Sequence, residues 1–342
     1  MKSIAPLPAA LSWTHAFTDP DLYGRTIRGG QAEVIVVGKG DFSAELTRVE
    51  FERLWMQRGH ETTARIAWAR NAPSRSAITF LTSKDQDPIT DYGLDMSPGD
   101  LLFAGPGANH HMRTTGRSDW GTMSLPCEDL ATAGEAVTGH ELLAPTTARR
   151  VRPAPALMTR LLELHREAGR LAEKSPAILA RPGVAHSLEQ KLLHAMIRCL
   201  ADGSGVEASG SNLRHMATLA RLEGLLTANP DRPLYLAEIC TTIGISERTL
   251  RLCCQQHLGM GPIQYLWLRR MNLAHGALVR GSATLTTVTD VATAYGFWEL
   301  GRFAVAHRTL FGEPPSATLS RPPEDPPQSK SRPFGFAEGR LQ

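Results

Sequence analysis

The last third of the chain contains one pattern written twice. Leu236, Ile239, Cys240 and Ile243 lead into Gly244, Leu250, Leu258 and the step Gly259-Met260-Gly261-Pro262. Val288, Val291, Ala292 and Tyr295 lead into Gly296, Phe303, Phe311 and Gly312-Glu313-Pro314-Pro315. The offset is 288 − 236 = 52 before the turn and 312 − 259 = 53 after it. Each copy has an apolar i, i+3, i+4, i+7 stripe, a glycine where a left-handed backbone is needed, and a second short helical segment. That is the outline of a helix-turn-helix, and two in tandem fit a protein that reads two stretches of DNA major groove.

Between the copies, Pro262 to Arg280 places Ile263, Leu266, Trp267, Met271, Ala274, Ala277 and Leu278 at helical spacing, with proline in the first turn and Gly281 just past the end. A helix of these 19 residues is ~28 Å long at 1.5 Å per residue. Successive major-groove faces on one side of B-DNA lie ~34 Å apart. A rod of that length can hold two reading helices about one DNA turn apart. Helical phase assigns Ser246, Glu247, Arg248 and Arg251 to the groove in the first copy, with Leu250 and Cys254 inward. In the second it assigns Trp298, Glu299 and Arg302 to the groove, with Phe303 and His307 inward.

Charge fits a selective binder. Residues 212–320 hold ten Arg and no Lys against seven Asp or Glu, a balance of +3 that equals the net charge of the whole chain. This excess supplies phosphate contacts without making a general polyanion binder, so specificity falls to base contacts and geometry.

The stretch from Leu236 to Val279, followed by Val288 to Leu319, resembles the AraC/XylS family of transcriptional regulators over roughly residues 215–320. The resemblance implies double-stranded DNA, a small-molecule effector, a second copy of the chain and RNA polymerase as partners. It also marks two departures, repeated in both copies: Leu252 and Val305 stand where the family commonly has an arginine, and Cys254 and His307 where it commonly has a core phenylalanine.

The expected fold class is α+β and multidomain: a cupin- or jelly-roll-like β-barrel over residues 1–150, a helical connector or dimerisation element over 151–204, a linker over 205–212, the all-α tandem helix-turn-helix domain over 213–320, and a disordered tail over 321–342. The β assignment rests on short runs between turn residues: 33–37, 42–51, 54–57, 63–68, 77–81, 101–104 and 121–125. Ser97 to Met112 is similar to the second motif of cupin-like sensor domains, and the N-terminal layout resembles the subgroup that includes ethanolamine regulators. Leu157, Leu161, Leu164 and Ala168, then Leu188, Leu192, Ala195, Met196 and Cys199, make two helical stripes in the connector.

Metal-binding barrels need histidines two residues apart on one strand. Here His60 stands alone beside Glu61, and the adjacent His110 and His111 point to opposite faces, so no metal and no cofactor is expected. Candidate ligand contacts are Trp55, Arg65, Trp68, His110 and Trp120, with plain core packing as the alternative for the tryptophans. The five cysteines form no CxxC pair and fit reduced thiols. Neither a signal peptide nor a membrane span is read, which makes the cytoplasm the expected compartment. Two other readings are a cupin enzyme joined to a binding module and a DNA alkyl-transfer protein. The latter needs an activated thiol, whereas Cys127 neighbours Glu128.

Overall fold

The computed structural model describes residues 10–28, 32–229, 232, 234–322 and 324–327. In chain order the elements are β1 (Leu11–Phe17), α1 (Pro20–Thr26), β2 (Glu33–Val36), β3 (Ala44–Glu50), β4 (Trp55–Glu61), β5 (Arg65–Arg70), β6 (Arg75–Leu81), β7 (Ile89–Asp91), β8 (Leu94–Met96), β9 (Leu101–Ala104), β10 (Asn109–Arg113) and β11 (Ser118–Pro126). There follow α2 (Cys127–Thr138), β12 (Ala148–Arg152), α3 (Pro155–Lys174), α4 (Pro176–Leu179), α5 (Pro182–Asp202) and β13 (Ser204–Glu207). The rest is helical: α6 (Gly210–Ala228), α7 (Leu236–Ile243), α8 (Glu247–Leu258), α9 (Pro262–Arg280), α10 (Val288–Ala294), α11 (Leu300–Phe311) and α12 (Pro315–Ser320).

The strands form two antiparallel sheets rather than one closed barrel. The larger has the order β1-β3-β4-β11-β6-β9-β12-β13 and the smaller β2-β5-β10-β7-β8. Period-2 alternation sorts the side chains. In β4, Met56 faces the helices of the connector, while Trp55, Gln57, Gly59 and Glu61 face the interior between the sheets; Gly59 lies under the Trp120 ring of β11, where a Cβ has no room. In β5 and β10, Arg65, Ala67, His110 and Met112 face that interior, and Ile66, Trp68, His111 and Arg113 face outward.

Two apolar cores follow. Met56, Ile78, Phe80, Phe103 and Met123 of the larger sheet pack with Leu161, Leu164, Leu192 and Met196 of α3 and α5. The other core is continuous from the sheet interior, through Ile35 and Ile66 of the smaller sheet, to Leu219, Leu250, Leu268, Met271 and Phe303 of the C-terminal helices. The smaller sheet is thus apolar on both faces, because it is covered on both.

Two expectations change, at the linker and at the tail. Residues 205–212 are not a linker: Ser204–Glu207 pairs with Arg149–Arg152, and α6 starts at Gly210, capped by the Ser209 hydroxyl that accepts from the Asn212 amide at 3.2 Å. The short strands β7, β8, β10, β12 and β13 and the helix α2 carry too few residues of clean periodicity to be read in advance. At the start of the expected tail, Glu324 accepts from the amides of Thr18 and Asp19 at 3.0 and 3.1 Å, while residues 328–342 lie outside the described residues.

Burial holds five histidines neutral, His307 among them. His111, His165 and His275 are pushed down to about 3 and His257 to about 4, from an ordinary 6.5, chiefly by desolvation. Below pH 6.5 the unfolded chain takes up protons that these folded histidines refuse, so stability falls as pH drops from 6.5 towards 3. Glu223, pushed up to about 7 by burial and Glu33, acts with the opposite sign between 4.5 and 7. With five imidazoles against the raised carboxyls of Glu223 and Asp19, the midpoint of thermal unfolding should fall steadily between pH 6.5 and 4 in calorimetry. A flat or rising midpoint across that window would contradict the burial of these imidazoles.

Candidate nucleic-acid interface

The two helix-turn-helix units are built by the same backbone bonds. In the first, α7 ends at Gly244 with φ +69°, and the Ile245 amide donates back to the Cys240 carbonyl at 3.0 Å. In the second, α10 leads to Gly296 with φ +77°, and the Phe297 amide donates to the Ala292 carbonyl at 2.8 Å. All three positions are offset by 52. Helix α8 then starts after Ser246, whose hydroxyl accepts from the Thr249 amide at 3.1 Å, whereas α11 starts only after Trp298 and Glu299. Trp298 is the one extra residue that turns the offset into 53.

Both reading helices bury the side predicted to be inward. Leu250 and Cys254, and Phe303 and His307, are buried. The His307 Nδ1 donates to the Glu313 carbonyl at 3.0 Å and its Nε2 meets His275 Nδ1 at 3.1 Å, so this histidine fills a core position through hydrogen bonds. Ser246, Glu247, Arg248, Arg251, Trp298, Glu299 and Arg302 are all exposed. Two of the arginines are already engaged: Arg251 by Glu247 at 2.9 Å and Arg302 by Glu299 at 3.0 Å. Arg248 has no ion pair among the described residues. Leu252 and Val305, at repeat-equivalent positions, are 57% and 69% exposed, and Trp298 is 78% exposed.

The β domain grips the opposite ends of these helices. Arg113 of β10 covers Gly259, the left-handed residue that ends α8, and Asp41 covers Gly312, the left-handed residue that ends α11; the Gly40 amide donates to the Thr309 carbonyl at 3.2 Å. Helix α9 is held along its length. Asn272 takes the Val36 amide at 2.9 Å and gives to the Val36 carbonyl at 3.1 Å, so its side chain completes the free edge of β2. Arg269 pairs with Glu33 at 3.0 Å and Arg280 pairs with Asp21. The amino-terminal ends of α8 and α11 stay clear of the sheets.

Residues 239–321 match the family model described as a helix-turn-helix domain. Over 100 residues the chain is 33% identical to the XylDLEGF operon transcriptional activator 2 of Pseudomonas putida, covering 29% of this chain and 64% of that protein. Over 98 residues it is 35% identical to the probable thc operon regulatory protein of Rhodococcus erythropolis, covering 29% of this chain and 30% of that one. A solved structure of a probable AraC family transcriptional regulator from Rhodopseudomonas palustris is 36% identical, with 32% of this chain and 99% of that chain covered and a TM-score of 0.29. The chain carries an AraC/XylS-type DNA-binding domain. It spans less than two thirds of the length of the two curated relatives named here.

Inside the β domain the expected ligand contacts do not form one cluster. Glu61 is fully buried and accepts from Arg65 Nε (2.7 Å), Tyr23 (2.7 Å), Trp120 (2.9 Å) and Ser118 (3.1 Å), and these donors, Arg65 foremost, hold its carboxyl below the usual range despite burial. Arg65 and Trp120 therefore serve this network first. His110 is interior, with Asp91 on its Nδ1 at 2.6 Å and no partner on Nε2 among the described residues. Trp55 lies six residues from Glu61 along β4, ~20 Å away. Trp68 faces outward, on the side of the DNA-binding helices, because it stands one residue out of phase with Arg65 and Ala67. No cluster of three or more His, Cys, Asp or Glu fit to hold a metal occurs among the described residues. The cysteines whose thiols are shifted (Cys199, Cys240, Cys253 and Cys254) are all pushed up, chiefly by burial, which disfavours a thiolate.

Sequence reasoning missed the grip residues Glu33, Asp41, Arg113 and Asn272, since nothing local marks a residue for a partner more than a hundred positions away. Arg248→Ala should cost about 1–3 kcal/mol of specific DNA binding in a titration of a preferred duplex, with base preference relaxed at one position. Unchanged affinity and unchanged preference would remove Arg248 from the groove.

Proposed function

We propose that the chain is a transcriptional regulator that reads two neighbouring major-groove segments with one polypeptide and responds to a small molecule held between its two sheets. The observation that carries this reading is the pair of equivalent helices with free amino-terminal ends, joined by α9 and braced from behind by the β domain. A rod of ~28 Å between them suits sites about one turn apart on the same face of the duplex. Ser246, Glu247, Arg248, Arg251, Trp298, Glu299 and Arg302 face the DNA, with Leu252 and Val305 against thymine methyl groups.

A response to a ligand requires different affinity for two arrangements of the protein. The contacts favour a route through the smaller sheet, whose inner face lines the interior and whose outer face lies on α8 and α9. Helices α3 and α5 pack on the far side of the larger sheet, so in this reading they serve self-association and not transmission. Their outer faces carry an open groove lined by Leu157, Arg160, Leu164, Lys191, His194 and Arg198. A homodimer formed there would place two readers on a longer operator and leave exposed apolar residues such as Tyr235 free for RNA polymerase.

Selection of duplexes from a random library by the full-length protein should yield two short conserved blocks centred ~10 bp apart. Inserting 5 bp between them should weaken binding at least tenfold, about 1.4 kcal/mol, because the second block turns to the opposite face. A selected site with a single block, or one indifferent to the insertion, would leave only one unit reading bases.

A further inference from the structure

Next to the midpoint of α9 stands Arg270, which has no ion pair among the described residues. The side chain is half-buried, and its guanidinium carbon lies 5.4 Å from the ring centre of Phe297, in the turn of the second unit. Other arginines of this region are matched: Arg269 by Glu33, Arg280 by Asp21, and Arg232 by Glu238 at 2.6 Å.

Two grooves meet at this side chain. One is lined by Arg232, Arg269, Arg270, Tyr295 and Trp298, reaches Leu236 at the start of α7, and has no Asp or Glu among its described lining residues. The other is lined by Arg270 together with Trp298, Glu299 and Arg302, the residues assigned to the second major-groove contact. Arg270 therefore shares a surface with reading residues and stands halfway along the rod that separates the two reading helices. On a duplex whose two major-groove segments lie one turn apart on one face, the minor groove turns towards the protein at that halfway point. A guanidinium half out of water, laid on an aromatic ring and lacking a carboxylate, is suited to an anion whose position is fixed. Burial holds Arg270 below its ordinary pKa, a penalty that phosphate oxygens would offset.

We propose that Arg270 enters the minor groove between the two major-groove segments, so that the protein selects the intervening base pairs by groove width without reading a base edge there. A·T-rich steps narrow the minor groove and deepen its negative potential, which favours an inserted guanidinium over a broad G·C-rich groove. The Phe297 ring fixes the plane of the guanidinium, which an ammonium on a mobile stem would not reproduce. This deepens the two-segment reading given above and rests on it.

The test is a fluorescence-anisotropy titration of the full-length protein with selected duplexes that keep both blocks and differ only between them, all A·T in one and all G·C in the other. The A·T duplex should bind about fivefold more tightly or better. Arg270→Met should bring the two affinities within about twofold and lower the slope of log affinity against log salt by about one. Arg270→Lys, which retains the charge, should keep the salt slope and lose most of the preference. Arg248→Met, in the first reading helix, should weaken binding to both duplexes alike and leave their ratio as it was. Equal binding of the two duplexes by the unaltered protein would overturn the proposal. So would an unchanged ratio and salt slope in Arg270→Met protein that retains its melting transition, a result that would give the grooves to a partner other than DNA. A lowered salt slope with an unchanged ratio would make Arg270 an ordinary phosphate contact and overturn it as well. Selection of a single block from the library would sink the two-segment reading and this proposal with it, whereas two firm blocks with an indifferent spacer would sink this proposal alone.

Discussion

The contact on which the rest of the molecule depends is that between α9 and the edge of β2. Asn272 satisfies both the amide and the carbonyl of Val36, and Arg269 reaches from a buried position in the helix core to Glu33. On its inner side Arg269 lies 4.0 Å from Glu223, which accepts from Tyr265 at 2.5 Å. A helix that would otherwise be a simple spacer is thereby welded to a sheet. An exposed strand edge invites pairing with other chains, and here a side chain amide closes it.

From that contact the two ends of the spacer inherit their positions. Arg113 and Asp41 close on Gly259 and Gly312, which occupy equivalent places in the two units, so one domain touches both reading helices at their carboxyl-terminal caps. Both glycines are left-handed and lie under a β-domain side chain, which excludes a side chain of their own there. The contact to Gly259 comes from the smaller sheet and that to Gly312 from the segment between β2 and β3. The apolar core continuous across the domain boundary makes the arrangement stiff, since packed interiors move between discrete states and do not deform smoothly.

The C-terminal domain was legible in the sequence because each of its elements is local. The turn glycines, the serine cap and the inward stripe of α8 lie within about twenty residues, and α9 runs over Pro262–Arg280 as its proline and glycine punctuation indicates. The paired sheets were legible only as short strands. Their division into two sheets depends on register between segments far apart, as in β11 pairing with both β4 and β6. The same distance explains the ligand candidates: Trp68 is aromatic and on a strand, as expected, yet the pleat turns it outward, while the meeting of Tyr23, Arg65 and Trp120 on Glu61 comes about only through register. The segment 204–212 reads as a linker from its glycine and serine, but its backbone finds an edge strand to pair with.

The central claim is that the smaller sheet and the DNA-binding helices share one frame, and hydrogen exchange of the full-length protein with and without a selected duplex tests it most directly. The account predicts that DNA alters amide protection in α8 and α11 and also in Val34–Val36 and His110–Arg113, which pack behind α9 and α8. Changes confined to the helices from 236 onward, with the smaller sheet unmoved, would contradict it.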